Sequence, residues 1–246
     1  MLQLMWFRTD LRVQDNSALA AAMSSGPTVA LYLLSPGQWL SHDDAPSKVD
    51  FWLRNLKELA TELGKLNVPL LVREVDNWSA APRAIGELCQ QLQIDSVQVN
   101  EEYGVHETRR DQAVAKALDG LGVNFRSHLD QLLFKPGSVL TKSGGYFQVY
   151  SQFRKVCYQR LHTALPALIA TPKAQAPLAI QSDAIPEHVA GFALPAADQH
   201  LSAESRSSAA EIAQPLKTVA EGGSDRLIES RVAEGGSDRL IESRVA

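Results

Sequence analysis

The sequence is poor in the features that mark several protein classes. Only two cysteines occur in 246 residues, Cys89 and Cys157, far apart and in helix-like segments. That excludes a disulfide framework and reads as reduced thiols in a cytosolic protein. No apolar run reaches the ~18 residues of a membrane span. The short apolar run at the amino terminus has no basic stretch ahead of it and does not read as a signal peptide, so a soluble, cytoplasmic protein is expected. With a formal net charge of −4 and no long run of Lys and Arg, the chain as a whole makes no electrostatic case for tight DNA binding. There is no Walker-type Gly-rich Lys loop, no Gly-x-Gly-x-x-Gly after a strand and no nucleophile elbow. Gly144-Gly145 and the terminal Gly pairs lack the strand–turn–helix setting of a phosphate loop.

What is present is a regular alternation of strand and helix patterns from residue 2 to about 130. Apolar runs Leu2–Phe7, Thr28–Leu34, Pro69–Val75 and Ser96–Asn100 read as buried parallel strands, with Val123–His128 a weaker fifth. Between them lie helical segments over about Ser17–Ser24, Pro46–Leu66, Ser79–Leu92 and Glu107–Leu121. In the second of these, Phe51, Leu53, Leu56, Leu59 and Leu63 recur at helical spacing, opposite Arg54, Lys57 and Glu58. The hydrophobic fraction of 45% supplies a substantial core. The expected fold is α/β: a five-stranded parallel, Rossmann-like sheet with helices on both faces. Ligands of such sheets bind beyond the carboxyl ends of the strands, which directs attention to Arg8–Arg12, Ser35–Asp44, Asp76–Trp78 and Glu101–Glu107.

Beyond this domain, 1–130, the pattern changes three times. Residues 131–163 hold Pro136-Gly137, Gly144-Gly145 and a string of aromatics, and read as an aromatic excursion ending in a helix, Ser151–His162. Residues 164–218 are rich in Pro, Ala and Ser with almost no periodicity, and are expected to be a loosely held connector. Val219–Arg231 is then repeated without change as Val232–Arg244. A period of 13 is too short for a solenoid unit. On a helix it would turn the second copy by roughly 220° relative to the first, so the copies share no face. The tail 219–246 therefore reads as a sequence duplication.

The spacing Trp6-Phe7-Arg8-x-x-Leu11-Arg12-x-x-Asp15-Asn16 resembles the opening of the photolyase/cryptochrome family. Four further stretches follow in family order. They are Ala30-Leu31-Tyr32 with Ser35-Pro36-x-Gln38-Trp39 and His42; Pro69-Leu70-x-x-Arg73-Glu74-Val75-Asp76; Asn100-x-x-Tyr103 with Glu107-x-x-Arg110-Asp111; and the aromatic segment Phe147–Phe153. The set spans residues 2–163 and is similar to bacterial photolyases that repair cyclobutane pyrimidine dimers. The resemblance implies an α/β domain that binds a light-harvesting antenna, often a methenyl folate. It also implies a separate helical domain that holds FAD and the damaged DNA, and whose reduced flavin donates the electron that splits the dimer.

By that resemblance the antenna contacts fall on His42, after the second strand, and on His106 and Glu107, which open the helix after the fourth. The chemistry of the residues agrees: a carboxylate can accept the paired N–H donors of a pterin ring, and a histidine can stack or hydrogen-bond beside it. Glu107 also stands in a first helical turn, where the helix dipole favours an acid whatever else it does. At position 106 the folate-binding relatives often carry Asn. Arg8 and Arg12 are expected to anchor structure, Arg8 by pairing with Asp10 or Asp15, and Trp6 to be core. Tyr150, Ser151 and Gln152 stand where Phe, Thr and Pro are usual in the family, and Cys157 where Trp is common. The flavin domain is expected near residue 220, where the repeat stands as a remnant of its start. The chain is thus expected to be a truncated form without repair activity or strong DNA binding, with the missing flavin domain its natural partner. No residue here takes over an FAD or catalytic role. Two other readings stay open: a stand-alone α/β nucleotide-binding protein and a non-catalytic interaction domain.

Overall fold

The computed structural model describes residues 1–193; the rest of the connector and the tandem repeat lie outside the described residues. Five strands, β1 (Leu2–Phe7), β2 (Thr28–Leu34), β3 (Leu70–Glu74), β4 (Ile94–Asn100) and β5 (Asn124–His128), form one sheet in the order β3-β2-β1-β4-β5. Every neighbouring pair is parallel. Helices α1 (Ser17–Ser25) and α3 (Pro46–Lys65) cover one face, and α4 (Ala81–Leu92) and α5 (Val105–Asp119) the other. The short helix α2 (Pro36–Ser41) follows β2, and α6 (Tyr150–Thr163) stands outside the sandwich.

The alternation of side chains along β1 explains the two cores. Met5 and Phe7 pack with Leu19, Leu53, Leu56 and Leu63 on one face, while Leu4 and Trp6 pack with Ile85, Val97, Val114 and Leu118 on the other. Asn16 caps α1, its side-chain oxygen accepting the Leu19 amide at 2.9 Å. β4 begins two residues earlier than its apolar pattern suggests. Gln93 adopts a left-handed backbone at the end of α4 (φ 54°), so the chain passes from helix to strand with no intervening loop.

The expectation of a loosely held connector from residue 164 fails for residues 164–193. This segment has neither helix nor strand, yet it is anchored along the outer edge of β3. Asp183 donates its amide to Leu70 O (2.9 Å) and accepts the Val72 amide on Oδ2 (2.9 Å), while Ser182 Oγ accepts the Leu70 amide (3.0 Å). Further back, Gln175 bridges Thr28 and Asn67, its amide nitrogen donating to both carbonyls at 2.9 Å and its oxygen accepting Thr28 N–H at 2.8 Å. Val189 and Phe192 are buried in the α3 core, with Ile185 packed on it, and Leu178 and Ile180 pack on the α4/α5 core. The strap satisfies an edge that would otherwise present a row of free amides and carbonyls.

Candidate functional site

The carboxyl ends of β1 and β2 meet the loop after β4 at the point where the chain leaves β1 in opposite directions along the sheet. A cavity of about 90 Å³ opens there, lined by residues that include Arg8, Thr9, Ser35, Trp78, Glu102 and Glu107. These come from the four segments that the sheet rule singled out. The chain's four tryptophans, Trp6, Trp39, Trp52 and Trp78, all line it. Such a volume is below the ~300 Å³ of a complete small-molecule pocket.

Glu107 lines this cavity, while His42 and His106 stand outside its lining and are linked to it through Trp78. His42 ends α2, where its Nε2 lies 2.8 Å from Gln38 Nε2, and its ring stands edge-on to Trp78 (5.9 Å) and to His106 (5.7 Å). Both histidines are exposed. Glu107 is the third residue of α5, and its carboxylate folds back over Gly104, the residue before the helix. A Cβ at position 104 would lie 1.9 Å from Glu107 Oε2, so only glycine leaves the carboxylate room in this position.

Beneath the rim lies a group of charges that the sequence did not reveal. Arg8 clasps Asp111 with one nitrogen, at 2.8 and 2.7 Å from the two carboxylate oxygens. Arg110 reaches Glu102 at 2.8 Å and Asp111 at 2.7 Å. Both guanidinium groups sit over the Trp6 ring (5.1 and 5.0 Å), and Arg110 also faces Trp78 at 4.8 Å. Arg8 therefore pairs with Asp111 and Glu102 rather than with Asp10 or Asp15, because its side chain extends toward α5. Asp10 instead accepts the Arg8 backbone amide (2.8 Å) and a hydrogen bond from Asn100 (2.6 Å). Arg12 does anchor structure, on Asp130 at 2.6 Å. Burial works to raise the Glu102 pKa, but Arg8 and Arg110 outweigh it and hold the carboxyl below its ordinary range. Asp10 is pushed the other way, burial outweighing its Arg8 and Asn100 contacts. Trp6 is core, as expected, yet its buried indole N–H lacks an acceptor among the described residues.

Of the cavity residues, Trp52 and Arg110 fall outside the segments that the sequence singled out, and Trp39 and Glu102 fall inside them without having been given a role. The signal available was position: Trp39, Trp78 and Glu102 each follow a strand's carboxyl end. Among the described residues no cluster of His, Cys, Asp and Glu could hold a metal ion, and no helix is long and apolar enough to cross a membrane.

Comparison with known proteins places this geometry in a family. The family model described as DNA photolyase matches residues 3–173. The chain is 40% identical over 155 residues to a deoxyribodipyrimidine photo-lyase of Vibrio cholerae, covering 63% of this chain and 33% of that protein. It is 36% identical over 172 residues to the corresponding protein of Salmonella typhimurium, covering 69% and 36%. Among solved structures, a bacterial class III photolyase from Agrobacterium tumefaciens superimposes with a TM-score of 0.56 at 27% identity, covering 74% of this chain and 37% of that one. The chain thus spans about a third of the length of the curated relatives it matches. With its model matched over well more than half of the residues, and with the five-stranded sheet and its switch-point cavity in place, this chain belongs to the DNA photolyase family.

Proposed function

We propose that this chain binds a light-harvesting chromophore of the fused-ring folate class at the carboxyl edge of its sheet. The carrying observation is a cavity lined by Glu107 and by every tryptophan of the chain, with His42 and His106 beside it through Trp78. Glu107 accepts paired N–H donors of the ring, and the two histidines flank it. The unpartnered Trp6 N–H offers a donor to an acceptor atom that enters the cavity. Because the cavity takes only part of such a ligand, affinity is modest. Light-driven repair is assigned to the portion of such proteins beyond the third that this chain spans.

The test is titration of the purified chain with methenyltetrahydrofolate, read by tryptophan emission. With all four tryptophans at the cavity, binding quenches the emission strongly through energy transfer. Glu107→Ala is expected to weaken binding about tenfold, the loss of roughly one charged hydrogen-bonding partner. Absence of saturable quenching by the unaltered chain would remove the antenna reading. The chain incubated with dimer-containing DNA, folate and reduced FAD under near-ultraviolet light is expected to leave the dimers intact; light-dependent loss of dimers above a protein-free control would overturn that part.

A further inference from the structure

The carboxylates gathered where β4 gives way to α5 are treated unequally. Glu102 and Asp111 are held by Arg8 and Arg110 at 2.7 to 3.6 Å. Glu107 lines the same cavity and is half-buried, yet among the described residues its carboxylate accepts no hydrogen bond and pairs with no cation. A carboxylate left unpaired in such a place is an acceptor in reserve. What makes room for it is Gly104. This residue precedes α5 with φ −64° and ψ 152°, an extended conformation open to any amino acid. The path of the backbone therefore does not call for glycine. The carboxylate does: the three atoms nearest to a Cβ at position 104 would be Glu107 Oε2 at 1.9 Å, Cδ at 2.7 Å and Oε1 at 3.3 Å. A carbon–oxygen contact needs about 3.3 Å, so any side chain at 104 drives Oε2 away by about 1.4 Å.

We propose that Gly104 is a positioning residue that sets the specificity of this site. By lacking a side chain it keeps the unpaired carboxylate of Glu107 at the cavity, where it receives a ring bearing two neighbouring N–H donors. A ring that brings a carbonyl to the same place strands the carboxylate without a partner and is rejected. This role rests on the chromophore reading for its ligand and on the backbone of residue 104 for its mechanism. Helix capping is the competing role, because Gly104 is also the N-cap of α5. Serine and alanine separate the two: both add a Cβ, but serine is a favoured N-cap and alanine a poor one.

The experiment measures Kd by quenching of tryptophan emission with two probes. Pterin carries an amino group beside a ring N–H, a donor pair; lumazine has a carbonyl in place of that amino group. The unaltered chain should prefer pterin by at least about tenfold. Gly104→Ala and Gly104→Ser should each lose about tenfold for pterin and less than about twofold for lumazine, which levels the preference. In a Glu107→Ala background neither should weaken binding further, since the carboxylate they displace is gone. Gly64→Ala, within α3 where a Cβ meets nothing within 4 Å, should bind as the unaltered chain does. Melting midpoints of both 104 variants should stay within about 4 °C of the parent. A loss in Gly104→Ala that Gly104→Ser does not share assigns the residue to capping and overturns the proposal. So does an undiminished loss on top of Glu107→Ala, or equal affinity of the unaltered chain for the two probes. If the unaltered chain binds neither probe, the chromophore reading falls, and crystal structures of the parent and of Gly104→Ala decide the positioning role. A Glu107 carboxylate moved by about 1.4 Å over an unmoved α5 upholds it; a shifted helix start with the carboxylate in place overturns it.

Discussion

Residues 1–130 and the segment 131–163 answer the same physical demands in opposite ways. The first buries its apolar side chains in two cores and neutralises most of its cations against carboxylates. The second leaves α6 without a buried residue and its cations without partners. The comparison teaches that stability and charge are distributed unevenly in this chain. The sheet is closed at its β3 edge by the strap, and α6 leaves most of its side chains exposed, with Phe153 against Phe147 (6.2 Å) among its few contacts.

The largest effect expected from this comparison concerns the strap. A chain ending at Thr163 should melt about 10–20 °C below one ending at Ala193, the midpoint shift of several kcal/mol for a domain of this size. The single substitution Phe192→Ala, which removes a 5% exposed ring from beside Trp39 (5.9 Å), should cost about 3–5 kcal/mol in urea unfolding. Equal midpoints for the two truncations would mean that the strap is ornament. Next in size is Arg110→Ala. It leaves Glu102 and Asp111 to share Arg8 alone beneath Trp6 and should cost about 3–5 kcal/mol, the usual penalty for breaking a buried ion pair from one side.

A smaller effect depends on pH. His128 has its pKa lowered, first by burial and then by Arg126, while its Nε2 donates to Gln98 Oε1 at 2.7 Å. Protons therefore bind the unfolded chain more readily. The contribution is fully present above the ordinary histidine value of about 6.5 and is lost as the pH falls through the lowered folded value. Thermal midpoints at pH 7.5 and 5.5 should differ by less in His128→Gln than in the parent. The smallest effect sharpens the comparison from the other side: Arg154→Ala and Lys155→Ala should each change stability by no more than about 0.5 kcal/mol. A larger loss would mean that α6 is held by contacts rather than displayed.

Much of the fold was legible because burial in a parallel sheet leaves a local signature. β1 and β2 were readable to the residue, since both are unbroken apolar runs bounded by polar ones. Helix α2 was not, because six residues beginning Pro36-Gly37 carry too little periodicity to distinguish a helix from a loop. The strap was invisible for a related reason. Gln175, Ser182 and Asp183 act through hydrogen bonds to backbone about 110 residues earlier, and such bonds impose no pattern on the neighbouring sequence. The positions of His42, His106 and Glu107 could be read from strand ends. The Arg8–Asp111–Arg110–Glu102 arrangement could not, since each residue has several carboxylates or cations within plausible reach until the sheet order is known.

The strap also imposes a schedule on synthesis. The outer edge of β3 emerges with Leu70 and Val72, but the residues that close it, Ser182 and Asp183, are made 111 to 112 residues later. At about 5–20 residues per second, that edge stays open for roughly 6–20 s on the ribosome. Throughout this interval a nascent sheet offers unpaired amides and carbonyls to any neighbouring strand, and slowing translation between Glu74 and Asp183 would lengthen the exposure without altering a single contact of the finished molecule.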